Sequence, residues 1–202
     1  MNKIVIKVLV ILAVVTGPGY ATPCNETSAS YRSHRSPPLR CCKDGFEESL
    51  NHEKVQVVRR ECAEELGLTA MSEDELLKNR KGLVCLIECI TKKHDLADEK
   101  GELLQEDLAK ALKEHFSIAE WKVPLLDGII SECFQFAEEE HEKHSSDDGT
   151  CNPEGFHFGY CLWRKFTLAC PEEMQDDSEH CESIRGKLKS NDTEGLWNAH
   201  ID

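Results

Sequence analysis

The sequence has no stretch of about 18 consecutive apolar residues, the length a membrane-crossing helix requires. Its longest such run, Val8 to Val15, is less than half of that. A membrane protein is therefore not expected. Basic residues are also scarce: 24 Lys and Arg stand against 38 Asp and Glu, for a formal net charge of −14. Nucleic acid is a poor partner for such a chain, because that binding rests on cations neutralising phosphates. No alternation of apolar and polar residues is long enough for a convincing strand, so an all-α fold is expected. A Gly-x-Ser-x-Gly elbow, a His-Glu-x-x-His pair and a phosphate-binding glycine loop are all missing, which removes three common catalytic chemistries. No cofactor is expected.

What is present points to the secretory route. Residues 1–21, MNKIVIKVLVILAVVTGPGYA, place Lys3 and Lys7 ahead of the apolar run and close it with Gly19 and Ala21. That is the composition of a signal peptide. The mature chain is expected to begin near Thr22, to be soluble, and to be more acidic still, since the segment removes two lysines and no acids. All 11 cysteines lie beyond it. In a secreted chain of this size disulfides are their expected use, ahead of metal ligation or nucleophilic catalysis. The number is odd, so one thiol stays free or bonds to another chain. Two sequons, Asn25-Glu-Thr and Asn191-Asp-Thr, fit the same route. The remainder is long enough for one domain with its own core.

Residues 22–40, rich in Ser, Pro and Arg and without apolar periodicity, read as an N-terminal extension. Residues 41–181 carry a succession of helical patterns and breaks. A first helix is expected from about Phe46 to Leu66, ended by Gly67, and a capping box at Ser72-Glu-Asp-Glu75 opens a second. Its continuation, LVCLIECITKKH, is apolar on more than one side, the mark of an interior helix. Asp98-Glu-Lys-Gly101 is a polar break. Leu103 to Phe116 then forms an amphipathic helix, Ser117 caps the next, and Pro124 is tolerated within the first turns of that one. A last cysteine-bearing helix runs from roughly His157 to Cys170, where Pro171 stops it. Residues 182–202 form a C-terminal tail with Ile184, Leu188, Leu196, Trp197 and Ile201 in a polar background. Either part of it folds back over a pocket mouth or it is a mobile terminus.

The cysteine spacings restrict the bonding. Cys85 and Cys89 are four apart, on one helix face with Cβ atoms about 5–6 Å from each other, whereas a disulfide brings Cβ atoms to roughly 3.5–4.5 Å. They need separate partners. Cys161 and Cys170 are nine apart; at about 100° per residue they point to opposite sides of a helix, and they too need two partners. Adjacent Cys41 and Cys42 cannot bond each other without strain.

The motif Cys85-LIE-Cys89, the motif Cys161-LWRKFTLA-Cys170, and Cys62 and Cys133 in the first and fourth places together resemble the six-cysteine signature of insect odorant-binding proteins, the PBP/GOBP family. The resemblance covers about Cys41 to Cys181. Cys151, Pro171 directly after Cys170, and Cys181 are similar to the Plus-C subclass, whose members usually carry twelve cysteines, one more than this chain. The resemblance implies a compact bundle of six or more helices, interlocked by disulfides around an apolar pocket. It also implies the pairs Cys62–Cys89, Cys85–Cys161 and Cys133–Cys170. For the rest, Cys41 and Cys42 are expected to reach Cys151 and Cys181, leaving Cys24.

The same resemblance implies a secreted carrier of small hydrophobic ligands, odorants or pheromone-like volatiles, and not an enzyme. An olfactory receptor and a second copy of the chain are the further candidate partners. The residues expected to face the ligand are Leu86, Leu112, Phe116, Trp121, Leu125, Ile129, Phe134, Phe158, Leu162, Trp163 and Phe166, although amphipathic helices bury the same residue types without any ligand. His141-Glu-Lys-His144 has a spacing that could ligate metal, but beside Glu138 to Glu140 it reads first as a charged helix end, and no metal site is expected. A secreted phospholipase A2 is the enzyme alternative, being small, helical and disulfide-rich. Here Cys41-Cys42 is followed by Lys43-Asp-Gly-Phe, with no histidine until His52 and no glycine-rich calcium loop. A carrier or scavenger in saliva, gut or reproductive fluid would use the same scaffold.

Overall fold

The computed structural model describes residues 41–43, 53–71, 75–76, 79–116, 119–144 and 151–190. The expected all-α class is what these residues adopt. Six helices follow in order: α1 (Glu53–Glu65), α2 (Arg80–Lys93), α3 (Gln105–Phe116), α4 (Leu126–His144), α5 (Glu154–Ala169) and α6 (Glu179–Lys189). Short 3-10 turns at Val123–Leu125 and Glu172–Met174 lead into α4 and out of α5. The only extended pairings among the described residues are the isolated bridges Cys42 to Gln175 and Ala97 to Leu103.

Local sequence explains most boundaries. The helix Arg80–Lys93 has its own start, because the Asn79 side chain accepts from Gly82 N at 2.9 Å and caps it there. Glu75 and Leu76 are helical before that break, while Ser72 lies outside the described residues. The polar break behaves as expected: Asp98 Oδ1 accepts from Lys100 N at 2.8 Å and Glu102 N at 3.0 Å, an Asx-type turn. Gly101 completes it at φ +85°, where a Cβ would also come within 2.6 Å of Asn152 Cβ, so only glycine fits. Pro124 sits in the 3-10 turn before α4, not within the helix. Helix α6 carries the fold past Cys181 to Lys189, with Ile184 and Leu188 buried.

The interior helix is α5 and not α2. Every residue from Gly155 to Trp163 is buried, the pattern of a helix covered on all sides. Helix α4 lies along it antiparallel, as Glu132 reaches Lys165, Cys133 reaches Cys161 and Phe136 faces His157. Helix α2 approaches the start of α5 at Gly155, whose missing side chain leaves room for Ile87 and Thr91.

Five disulfides fasten this arrangement. Their Cα–Cα distances run from 5.1 Å to 5.9 Å, ordinary for the bond. Cys62–Cys89 joins α1 to α2, the pair the resemblance implies. Two other implied pairs are corrected. Cys85 bonds to Cys151 and not to Cys161, because Cys151 lies three residues ahead of α5, at the end that α2 touches. Cys161, halfway along α5, faces α4 and bonds to Cys133 in place of Cys170. Cys170, at the end of α5, bonds to Cys42, and Cys41 bonds to Cys181. The N-terminal segment reaches both because it is zipped to the chain after α5: Lys43 N donates to Met174 O at 2.7 Å and Asp176 N to Cys41 O at 3.1 Å. Of the pairings expected for Cys41 and Cys42, Cys41–Cys181 is formed and a bond to Cys151 is not. Cys24 lies outside the described residues. The separate partners demanded by the 85/89 and 161/170 spacings are both present.

Two outcomes follow. Replacing Cys133 and Cys161 together by serine opens a crosslink of 28 residues and should cost about 3.5 kcal/mol in urea unfolding; non-reducing peptide mapping of the wild type should recover Cys85–Cys151 and no Cys85–Cys161 peptide. Glu154, at the first turn of α5, accepts from Leu103 N at 3.0 Å. Burial raises its pKa above the ordinary 4.5, with the Leu103 bond and His141 opposing. A raised folded-state value means the native form holds the proton longer, so this group's contribution is fully present below pH 4.5 and is lost as pH rises through the raised value. Glu154→Gln should therefore gain on the wild type between pH 4 and 7, by less than about 1 kcal/mol because the carboxyl is only partly buried.

Candidate functional site

The aromatic residues of α3, of the turn before α4 and of α5 converge. The Phe116 and Phe166 rings lie 4.8 Å apart, and Trp121 meets Phe166 edge-on at 6.2 Å. Phe134 of α4 and Phe158 of α5 form a second pair at 4.5 Å. These distances favour offset and edge contacts over flat sandwiches. The clustering follows from sequence: Phe158, Leu162 and Phe166 recur at four-residue steps and share one face of α5, and that face meets α3 and α4.

The residues expected to face a ligand divide as follows. Phe116, Trp121 and Phe166 form the first cluster, Phe134 and Phe158 the second, and Trp163 stacks near Tyr160 at 5.8 Å. Leu86, Leu112 and Leu162 are fully buried and Ile129 is nearly so. Leu125 is 37% exposed on the 3-10 turn and does not join them.

Sequence reasoning missed one residue of this site. Lys122 is only 4% exposed, and its Nζ lies 4.8 Å from the Phe116 centroid and 5.2 Å from those of Trp121 and Phe166. An ammonium in apolar surroundings is costly unless something favours its charge, and each ring face can contribute up to about 2 kcal/mol when desolvated. The available signal was slight: Lys122 is the one charged residue in WKVPLL, Trp121 to Leu126. A lone lysine beside proline is more readily read as a solvated turn.

A groove of about 290 Å³ runs between α4 and α5 on their other side, lined by Glu132, Phe136, Glu139, Tyr160, Arg164 and Lys165 among others. Its lining is mixed in charge and holds none of the residues expected to face a ligand. Burial pushes the Tyr160 phenol up, with the Arg164 guanidinium opposing. His141 keeps its Nδ1 buried without a hydrogen-bond partner among the described residues, and the His144 side chain lies outside them. No group of three His, Cys, Asp or Glu side chains is placed to hold a metal among the described residues. No described helix is long and apolar enough to cross a membrane.

Residues 46–165 match the model of the PBP/GOBP family, and the chain belongs to that family. The match stops short of Cys170 and Cys181 and begins after Cys41 and Cys42, so two of the five disulfides fall beyond it. No curated protein and no solved structure matches the chain. Proteins of this family are binding proteins, not enzymes, and carry small hydrophobic ligands.

The packing at the cluster sets a further outcome. Phe166→Ala removes the ring shared by Phe116, Trp121 and Lys122 and should cost about 3–5 kcal/mol in chemical denaturation. Phe166→Leu, which keeps most of the volume, should cost less than half of that.

Proposed function

We propose that the chain is a secreted carrier of small hydrophobic molecules, odorants or pheromone-like volatiles, of the Plus-C kind, with the ligand seated among the aromatic faces of α3, α4 and α5. The observation that carries this reading is the convergence of Phe116, Trp121 and Phe166 within helices fastened by five disulfides, in a chain of the PBP/GOBP family. Crosslinks relieve the core of part of its duty in holding the fold, so apolar surface can be lent to a guest. Transfer of an apolar guest out of water supplies most of the affinity.

The Plus-C assignment is supported by Cys151, Pro171 and Cys181, each in a bond or a helix stop that the structure uses. Secretion is supported by the signal-like residues 1–21 and by the heavy use of disulfides. An olfactory receptor as the recipient and a second copy of the chain as a partner belong to the same reading.

Displacement of a fluorescent naphthylamine probe by a panel of volatile alcohols, aldehydes and esters tests the proposal. The mature chain should take up the probe with a Kd on the order of 1–10 μM and release it to some panel members. Failure of the probe to bind, in a preparation whose five disulfides are intact by mass, would remove the carrier reading.

A further inference from the structure

We propose that Trp121 orients the ligand in the aromatic cluster: its indole N–H donates to a carbonyl oxygen, so ketones, aldehydes and esters are recognised by a contact that hydrocarbons of the same length lack. The inference rests on the carrier reading and assigns the class of ligand.

The indole Nε1 of Trp121 is buried and has no hydrogen-bond partner among the described residues. A buried indole N–H ordinarily has one, because a donor left unpaired forfeits the hydrogen bond it made in water. An indole N–H can only donate, so its partner has to bring a lone pair. The neighbouring side chains of the cluster supply none. Phe116 and Phe166 are hydrocarbon rings, and Lys122, whose Nζ is 5.2 Å from the Trp121 centroid, ends in a group that is itself donor-only. Phe166 meets the indole edge-on at 6.2 Å between centroids, and a ring is at best a weak acceptor.

The donor is also well placed for a guest. Trp121 as a whole is only partly buried, whereas its Nε1 is buried, so the nitrogen edge is turned inward and the exposed part lies elsewhere on the residue. The ring packs against the core and stands just ahead of the 3-10 turn, whose Val123 and Leu125 are 49% and 37% exposed. It lies at the border between the aromatic interior and an exposed apolar turn. A hydroxyl or an amine would carry a donor of its own into surroundings without acceptors, and leaving that donor unpaired is costly. A carbonyl brings acceptors alone.

The test uses the mature, oxidised chain, wild type and Trp121→Phe, with dodecan-2-one and dodec-1-ene displacing the naphthylamine probe. Comparing each ligand with itself across the two proteins removes its water solubility from the result. Trp121→Phe should weaken the ketone about tenfold and the alkene about twofold, the fivefold difference being the value of one neutral hydrogen bond. In proton–nitrogen NMR spectra of the wild type, the Trp121 indole N–H signal should move downfield with the ketone and not with the alkene. Equal weakening of the two ligands, or an indole signal that the ketone does not move, overturns the inference and leaves the carrier reading standing. So does a ketone that fails to displace the probe while other volatiles succeed. Failure of the probe itself to bind removes both. If Trp121→Phe does not fold by circular dichroism, the wild-type spectra decide the matter.

Discussion

Helix α5 is held covalently at its start, its middle and its end, and the rest of the molecule is arranged around that fact. Cys151 ties its lead-in to α2, Cys161 ties its centre to α4, and Cys170 ties its exit to the N-terminal segment. Each attachment sits where the helix must meet that neighbour for other reasons: the small Gly155 beside α2, the Phe134–Phe158 pair beside α4, the backbone pairing of residues 41–43 with 174–176. The covalent bonds and the packing thus agree, a consistency expected of a sequence that specifies one structure. Burial on every side of α5 follows, and with it the gathering of aromatic rings from three segments along one of its faces.

Much of this fold was legible in the sequence. Helical periodicity and turn chemistry are local properties, so the class, the Asp98–Gly101 turn and the approximate positions of α3, α4 and α5 could be read from residue order alone. The requirement for separate partners at Cys85 and Cys89, and at Cys161 and Cys170, followed from helix geometry. The partners themselves did not, because which cysteine faces which depends on how helices cross, and that is set by contacts distant in sequence. Cys151 illustrates the point: nothing near it in the chain signals α2, yet the approach permitted by Gly155 delivers Cys85 to it. Helix α6 was hidden in what read as a polar tail, because beyond Cys181 only Ile184 and Leu188 mark its buried face.

The candidate site was legible to a similar depth. Aromatic residues at four-residue steps predict a shared face, and Phe116, Trp121 and Phe166 do meet. Leu125 does not join them, lying on the 3-10 turn that holds Pro124 and being 37% exposed there. Lys122 escaped notice because hydrophobic patterning treats every lysine as surface. Its burial among rings is a property of three segments at once, and residue order carries only the slight trace of one lysine in an apolar stretch.

The bonds at the two ends of the chain also bear on how the protein is made. Cys41 and Cys42 emerge early in synthesis, but their partners lie 140 and 128 residues further on. Through most of translation these neighbouring thiols coexist with Cys62, Cys85 and Cys89, any of which can capture them. The last two crosslinks therefore close only after the whole helical body exists, and a chain oxidised too soon has to be reshuffled, a matter of seconds to hours depending on the oxidant and on an isomerase. Assembly of this set of bonds therefore calls for thiol–disulfide exchange as well as oxidation.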